Sequence, residues 1–204
     1  MRKAFTVVYK VHNNLYVNLT NKCSAACVFC LRQNMDHMEN SDPLWLDHEP
    51  DFEEVKAAFG NFDVPSFNEI VFCGFGEPTE KFDLLIKCAA WIKETYNKPI
   101  RINTNGHGNL INGRDIIPEM KGKIDTLSIS LNNPDAKKYQ ELVRSQFGEK
   151  SFDSMISFAK EAVNYVPNVI FTTVDTTLSK EEEAKCQKIC YEIGVKYRIR
   201  PWES

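Results

Sequence analysis

Apolar and polar residues alternate along 15–20 near the N-terminus, the apolar-rich 4–9 before it is also strand-like, and the turn-prone His12-Asn13-Asn14 lies between them. A period of two marks a strand, so the pair predicts a hairpin. Short apolar runs suited to further strands stand at 68–73, 100–104, 126–131, 169–174 and 195–199. Between them the period lengthens. Segments near 51–59, 81–96, 115–120, 135–144, 152–165 and 180–193 read as helices, several with apolar residues three and four apart. In 81–96 that stripe is Phe82, Leu85, Ile86, Ala89 and Ile92. Ser179 stands three residues before Glu182, the spacing of a capping box, and Gly60 and Gly194 mark helix ends. Beyond the first strand, six strand-helix units follow one another and end on a strand. Such alternation predicts an α/β fold whose parallel sheet is joined by helical crossovers. Six strands fall short of the eight that close a barrel. Sites in these folds gather at the C-terminal ends of strands, and here polar runs follow the strands in that way. With no repeat, linker or low-complexity tract, residues 1–204 read as a single domain.

Composition changes this picture little. Of 204 residues 43% are hydrophobic and 26% charged, with a net charge of −3, which gives no general attraction for nucleic acid. No apolar run approaches the ~20 residues of a membrane span. The first residues lack the apolar core of a signal peptide. Seven cysteines, an odd number with three clustered, point to a reducing cytoplasm and to metal ligation rather than disulfides.

Those three are Cys23, Cys27 and Cys30, spaced C-x3-C-x2-C directly after the second strand. Zinc sites pair C-x2-C with a second pair of ligands, and no matching pair follows. Thiolates also suit iron–sulfur clusters. A cubane cluster is held by four cysteines as a rule, so three would leave one iron open. The residue before the last cysteine is the aromatic Phe29. With C-x3-C-x-φ-C complete, the chain resembles the radical SAM (S-adenosylmethionine) superfamily over nearly its whole length. The resemblance implies an open partial (β/α)6 barrel with an extra N-terminal strand. It implies a [4Fe–4S] cluster on Cys23, Cys27 and Cys30, S-adenosylmethionine chelating the fourth iron, and Phe29 near the adenine. It also implies reductive cleavage to a 5′-deoxyadenosyl radical that abstracts hydrogen, with an electron donor such as flavodoxin or ferredoxin.

Further strand ends match the family. Gly74-Phe75-Gly76-Glu77-Pro78 follows the 68–73 strand where relatives have G-G-E-P, with Phe75 as the departure. By resemblance Gly74, Gly76 and Glu77 meet the amino group of S-adenosylmethionine. Asn103, in the T-N-G end of the next strand, meets its methionyl part. Ser130 and Asn132 meet its ribose, although relatives often carry aspartate at the latter. The inward face of 169–174 stays open. In the last strand Lys196, Arg198 and Arg200 alternate with Val195, Tyr197 and Ile199. Either the basic side faces the site, where Arg198 or Arg200 holds a cofactor or substrate anion, or this is an edge strand with a solvated face. Pro201-Trp202 then caps the barrel. Cys73 and Cys88 are spaced like core residues, and Cys186 and Cys190 share a helix face.

The brevity of the chain, its G-F-G-E-P run and its R-I-R-P-W segment look most like the small TatD-linked radical SAM proteins. The reading is a hydrogen-abstracting enzyme acting on an anionic small molecule. Its alternatives are an activase that makes a glycyl radical on a partner protein, and a 7-carboxy-7-deazaguanine synthase-like enzyme, for whose magnesium no carboxylate cluster is evident. Outside enzymes, the alternative is an iron–sulfur or zinc binding module.

Overall fold

The computed structural model describes residues 4–201, so Trp202 lies outside the described residues. Seven strands form one sheet in sequence order: β1 (Val8–Val11), β2 (Asn14–Val17), β3 (Ile70–Phe72), β4 (Ile100–Thr104), β5 (Thr126–Ser130), β6 (Asn168–Val174) and β7 (Lys196–Arg200). β1 is antiparallel to β2, and every later pair is parallel. β7 does not pair back to β1, so the six parallel strands make the open (β/α)6 arrangement that the sequence implied. The helices are α1 (Phe52–Phe59), α2 (Phe82–Tyr96), α3 (Gly108–Asn112), α4 (Ala136–Val143), α5 (Lys150–Ala162) and α6 (Lys180–Ile193).

Two elements differ from expectation. β1 pairs later than residues 4–9 because the loop is only His12-Asn13: Val11 faces Asn14 across it, and His12 takes a φ of 51°. A two-residue loop fixes the register of both strands. Ala4 instead bridges to Leu46. The helix expected at 115–120 is a 3-10 turn at Ile117–Met120, and α3 precedes it. Five residues are too few to show a period.

Alternation sorts the sheet into two faces. Leu15, Val17, Ile70, Phe72, Ile100, Ile102, Leu127, Ile129, Val169 and Phe171 point outward into a continuous core with the helices. The opposite face lines an open lumen with Tyr16, Val71, Arg101, Thr126 and Asn168 in one register row and Asn103, Ser128, Ile170 and Lys196 in the next. Above these, Ser130, Thr172 and Arg198 share a row, and Arg200 stands opposite Val174. The inward face of β6 is therefore Ile170, Thr172 and Val174. A small second apolar cluster of Tyr9, Val11, Leu44 and Phe75, with Trp45 packed on it, lies at the β1–β2 end. No helix among the described residues is long and apolar enough to cross a membrane.

Candidate active site

The chain leaves β2 through Asn18–Thr20, all buried, and enters the cysteine loop. That loop has no regular structure, so its backbone groups need partners elsewhere. The amides of Ala26 and Val28 donate to the carbonyls of Val143 and Leu142 at the end of α4, at 3.0 and 2.9 Å. Asn105 donates from Nδ2 to Ser24 Oγ at 3.1 Å. Glu77 N donates to the Lys22 carbonyl at 2.8 Å. Arg32 donates to the carbonyls of Asn21, Ala25 and Phe75 and lies 5.9 Å from the centre of the Trp45 ring.

This framework presents Cys23, Cys27 and Cys30 half-buried and free of disulfides, with Phe29 half-buried between the last two. Burial pushes the Cys23 thiol up to about 11, with Glu77 adding to it, and the Cys27 thiol to about 12, with Cys30 and Cys23 adding to it. The three sulfurs are close enough to feel one another's charge, and Arg32 opposes the shift at both Cys23 and Cys27. Among the described residues no group of three His, Cys, Asp or Glu is gathered round a single metal-ion position. Three soft donors on one loop, within reach of one another's charge, suit a multinuclear iron–sulfur group in which each thiolate takes a different iron.

The loop after β3 packs directly on this backbone. A Cβ on Gly76 would stand 2.2 Å from the Thr20 carbonyl oxygen and 2.6 Å from that of Lys22. One on Gly74 would stand 2.1 Å from Asn18 Oδ1. Both glycines thus allow the two loops to touch. Phe75, which interrupts the G-G-E-P pattern, turns into the second apolar cluster and packs edge-on to Trp45 at 5.4 Å. Glu77 is buried, and its carboxylate accepts from Thr79 N, Thr79 Oγ1, Thr104 Oγ1 and Asn105 N at 2.6 to 3.1 Å. Burial pushes its carboxyl up, against the pull of those donors. The side chain pins the β3 loop to the end of β4.

Asn103 and Asn105 divide the strand end between them. Asn103 points into the lumen, where its Oδ1 accepts from Arg101 Nη1 at 3.0 Å and its side chain bonds the Cys73 thiol. Asn105 reaches the cysteine loop. Ser130 lies half-buried on the lumen face. Asn132 follows with a φ of 59° and a buried Oδ1 that has no partner. A left-handed non-glycine residue with an orphaned acceptor at a strand end is strain of the kind stored at ligand sites.

Val195, just before β7, and Tyr197 on it pack on the core, whereas Ile199 is exposed; Lys196, Arg198 and Arg200 take the opposite, lumen face. Arg198 is exposed and Arg200 half-buried. Cys73 is no core thiol: it is half-buried on the lumen face, within electrostatic reach of Arg101 and Arg200. Cys88, Cys186 and Cys190 are buried in the core. Ser24, Arg32, Thr104 and Asn105 carry no signal in the sequence because their partners are distant in the chain, and Thr79, only two residues from Glu77, shows its role only once that carboxylate is seen to be buried.

A family model described as the radical SAM superfamily matches residues 17–184. No curated protein sequence matches the chain. Among solved structures, Streptococcus suis SuiB bound to precursor peptide SuiA superposes with a TM-score of 0.67 at 18% identity, covering 94% of this chain and 39% of that one. Methylornithine synthase gives 0.66 at 16% identity, covering 93% and 53%. A radical SAM methyltransferase from Sphaerobacter thermophilus gives 0.62 at 14%, covering 97% and 69%. At these identities the likeness is one of fold, and the chain spans about two fifths of the SuiB chain.

Proposed function

Because the chain belongs to the radical SAM superfamily, whose members are enzymes that use a [4Fe–4S] cluster and S-adenosylmethionine, we propose that it abstracts hydrogen from an anionic small molecule held in the lumen. The observation that carries this reading is three free thiols on the loop after β2, within reach of one another's charge and braced against the β3 loop. Cys23, Cys27 and Cys30 would hold three irons. The bound group would supply one-electron reduction of S-adenosylmethionine, and the protein supplies position and surroundings.

Gly74, Gly76 and Glu77 shape the loop for the methionine amino end. Asn103 faces the methionyl part, Phe29 the adenine, and Ser130 and Asn132 the ribose, for whose hydroxyls the orphaned Asn132 Oδ1 is a ready acceptor. Arg198 and Arg200 face the substrate. A flavodoxin or ferredoxin would deliver the electron. Within the superfamily we place the chain with the TatD-linked proteins, on its G-F-G-E-P run and R-I-R-P segment.

The test is anaerobic reconstitution with iron and sulfide, reduction with dithionite and addition of S-adenosylmethionine. An EPR signal that shifts on that addition, with 5′-deoxyadenosine formed, is the expected result. A cluster indifferent to S-adenosylmethionine, or a colourless zinc protein, would overturn it. Replacing Cys27 with Ala should abolish the full cluster.

A further inference from the structure

The charges on the lumen face do not balance. Arg101 is neutralised: Glu69 accepts from its Nε and Nη2 at 2.7 to 3.3 Å, and Asn103 takes a third donor. Both members of that pair are largely buried, with side-chain exposures of 12% and 25%. Glu77 is taken up by Thr79 beside it and by Thr104 and Asn105 at the end of β4. Asp175, at the end of β6, is exposed and accepts from the amide of Thr176. Lys196 donates to Asn168 Oδ1 at 3.0 Å. Arg198 lies within electrostatic reach of Arg101, Tyr16 and Glu69, but neither it nor Arg200 is in an ion pair with a described carboxylate. Arg200 Nε is buried without an acceptor.

A buried guanidinium donor without an acceptor is costly, and two guanidinium groups on one face repel each other. Partial desolvation, followed by the charges of Arg101 and Arg200, holds the partly exposed Arg198 below its usual range, with Tyr16 and Glu69 opposing the shift. Arg200 also reaches Cys73, although β7 and β3 are separated in the sheet by β4, β5 and β6. Its charge therefore acts across the lumen. The cation that acts on the Cys23 and Cys27 thiols is Arg32, and neither β7 arginine figures there. By register both arginines line the lumen face of β7, and Arg200 reaches across it to Cys73.

We infer that Arg198 and Arg200 form a dianion site at the C-terminal end of β7, which takes a small molecule bearing a phosphate monoester or a pair of carboxylates. The planar forks of arginine match either group, and two uncompensated positive charges call for two negative ones. Thr172, in the same register row as Arg198, is buried with its hydroxyl on the Ile129 carbonyl, so the two guanidinium groups supply the donors at this end of the lumen. The inference rests on the reading of the lumen as the substrate chamber.

The test is isothermal titration of inorganic phosphate, succinate and acetate into the reconstituted protein with S-adenosylmethionine bound. Phosphate or succinate should saturate and bind about tenfold or more tightly than acetate. The tighter of the two names the source, phosphate ester or dicarboxylate. Arg198→Gln and Arg200→Gln should each lose about tenfold or more, while Lys196→Gln stays within about threefold. Far-UV circular dichroism of the variants checks their folding. Absent saturation, equal binding of acetate, or an equal loss in Lys196→Gln would overturn the site. Displacement of phosphate when S-adenosylmethionine is added to protein lacking it would also overturn it, by giving the arginines to the cofactor carboxylate. Formation of 5′-deoxyadenosine in the same preparations reports separately on the radical chemistry.

Discussion

Arg32 shows how one side chain can serve both architecture and electrostatics. It straps three carbonyls from two loops, and it is the cation that acts on Cys23 and Cys27. Reduction adds an electron to a cluster on those thiols, so a nearby positive charge favours the reduced state. Arg32→Gln should move the midpoint potential of the reconstituted cluster to more negative values in an EPR-monitored redox titration. Arg32→Lys should keep the potential close to wild type while losing the fork contacts. Equal midpoints in all three proteins would remove the electrostatic role. His107 makes a different residue-scale prediction. It is fully buried, its Nε2 lies 2.9 Å from Tyr139 Oη, and Nδ1 has no partner. Burial pulls it down to about 4. The unfolded chain takes up the proton first as pH falls below ~6.5, so stability is full above that value and is lost towards pH 4. At 1.36 kcal/mol per unit the loss reaches about 3 kcal/mol. His107→Gln cannot titrate, and its urea-unfolding free energy should fall less than that of wild type between pH 7 and 4.5.

At the scale of elements, the contact between the cysteine loop and the β3 loop is the decisive one. A methyl group at Gly76 meets two backbone carbonyls, which cannot rotate away. Gly76→Ala should cost ~1–3 kcal/mol by overpacking and lower the iron bound per chain. Gly60→Ala, at a helical φ of −60°, is the control that should keep wild-type iron content. Phe75 argues the same point in reverse. Phe75→Gly restores the G-G-E-P pattern of relatives, yet it removes a buried ring from a small cluster. It should destabilise by about 3 kcal/mol in thermal or urea unfolding. Helix ends were legible in the sequence because their signals are local. Asp51 and Ser179 each close a capping box, and α6 runs over 180–193 as its spacing predicts. The strand ends that bear the cysteines, the Gly-Glu-Pro turn and the asparagines were legible for the same reason. The bracing was not. Asn105 meets Ser24 across 81 residues, and Asn18 and Asn21 hold the 44–46 segment through its backbone. Such partners leave no trace in spacing. The departure at Phe75 looked like a weakened motif because its partner, Trp45, sits in an irregular loop.

Across the whole molecule, the open sheet separates two kinds of polar chemistry. The outer face is an apolar core, and the lumen holds a graded series from a neutralised ion pair to two free guanidinium groups. Sequence alternation alone could not choose between a lumen-facing and a solvated basic side on the last strand. The choice comes from Val195 and Tyr197, which pack on the core and turn the arginines inward. The same balance makes the Glu69–Arg101 pair a sensitive point. Removing Glu69 would leave a third uncompensated guanidinium beside Arg198, in a region where that charge is poorly hydrated. Breaking a buried pair by deleting one partner is far costlier than deleting both. Glu69→Gln should therefore destabilise by on the order of 3 kcal/mol, whereas Glu69→Gln with Arg101→Gln should recover much of that loss. Because the added charge sits in the same chamber, Glu69→Gln should also gain more unfolding free energy from added phosphate than wild type does. Urea unfolding of the four proteins of the cycle, with and without phosphate, measures both effects. Additive losses, and a phosphate response equal to that of wild type, would show that Glu69 answers to Arg101 alone and that the lumen charges act as separate contacts.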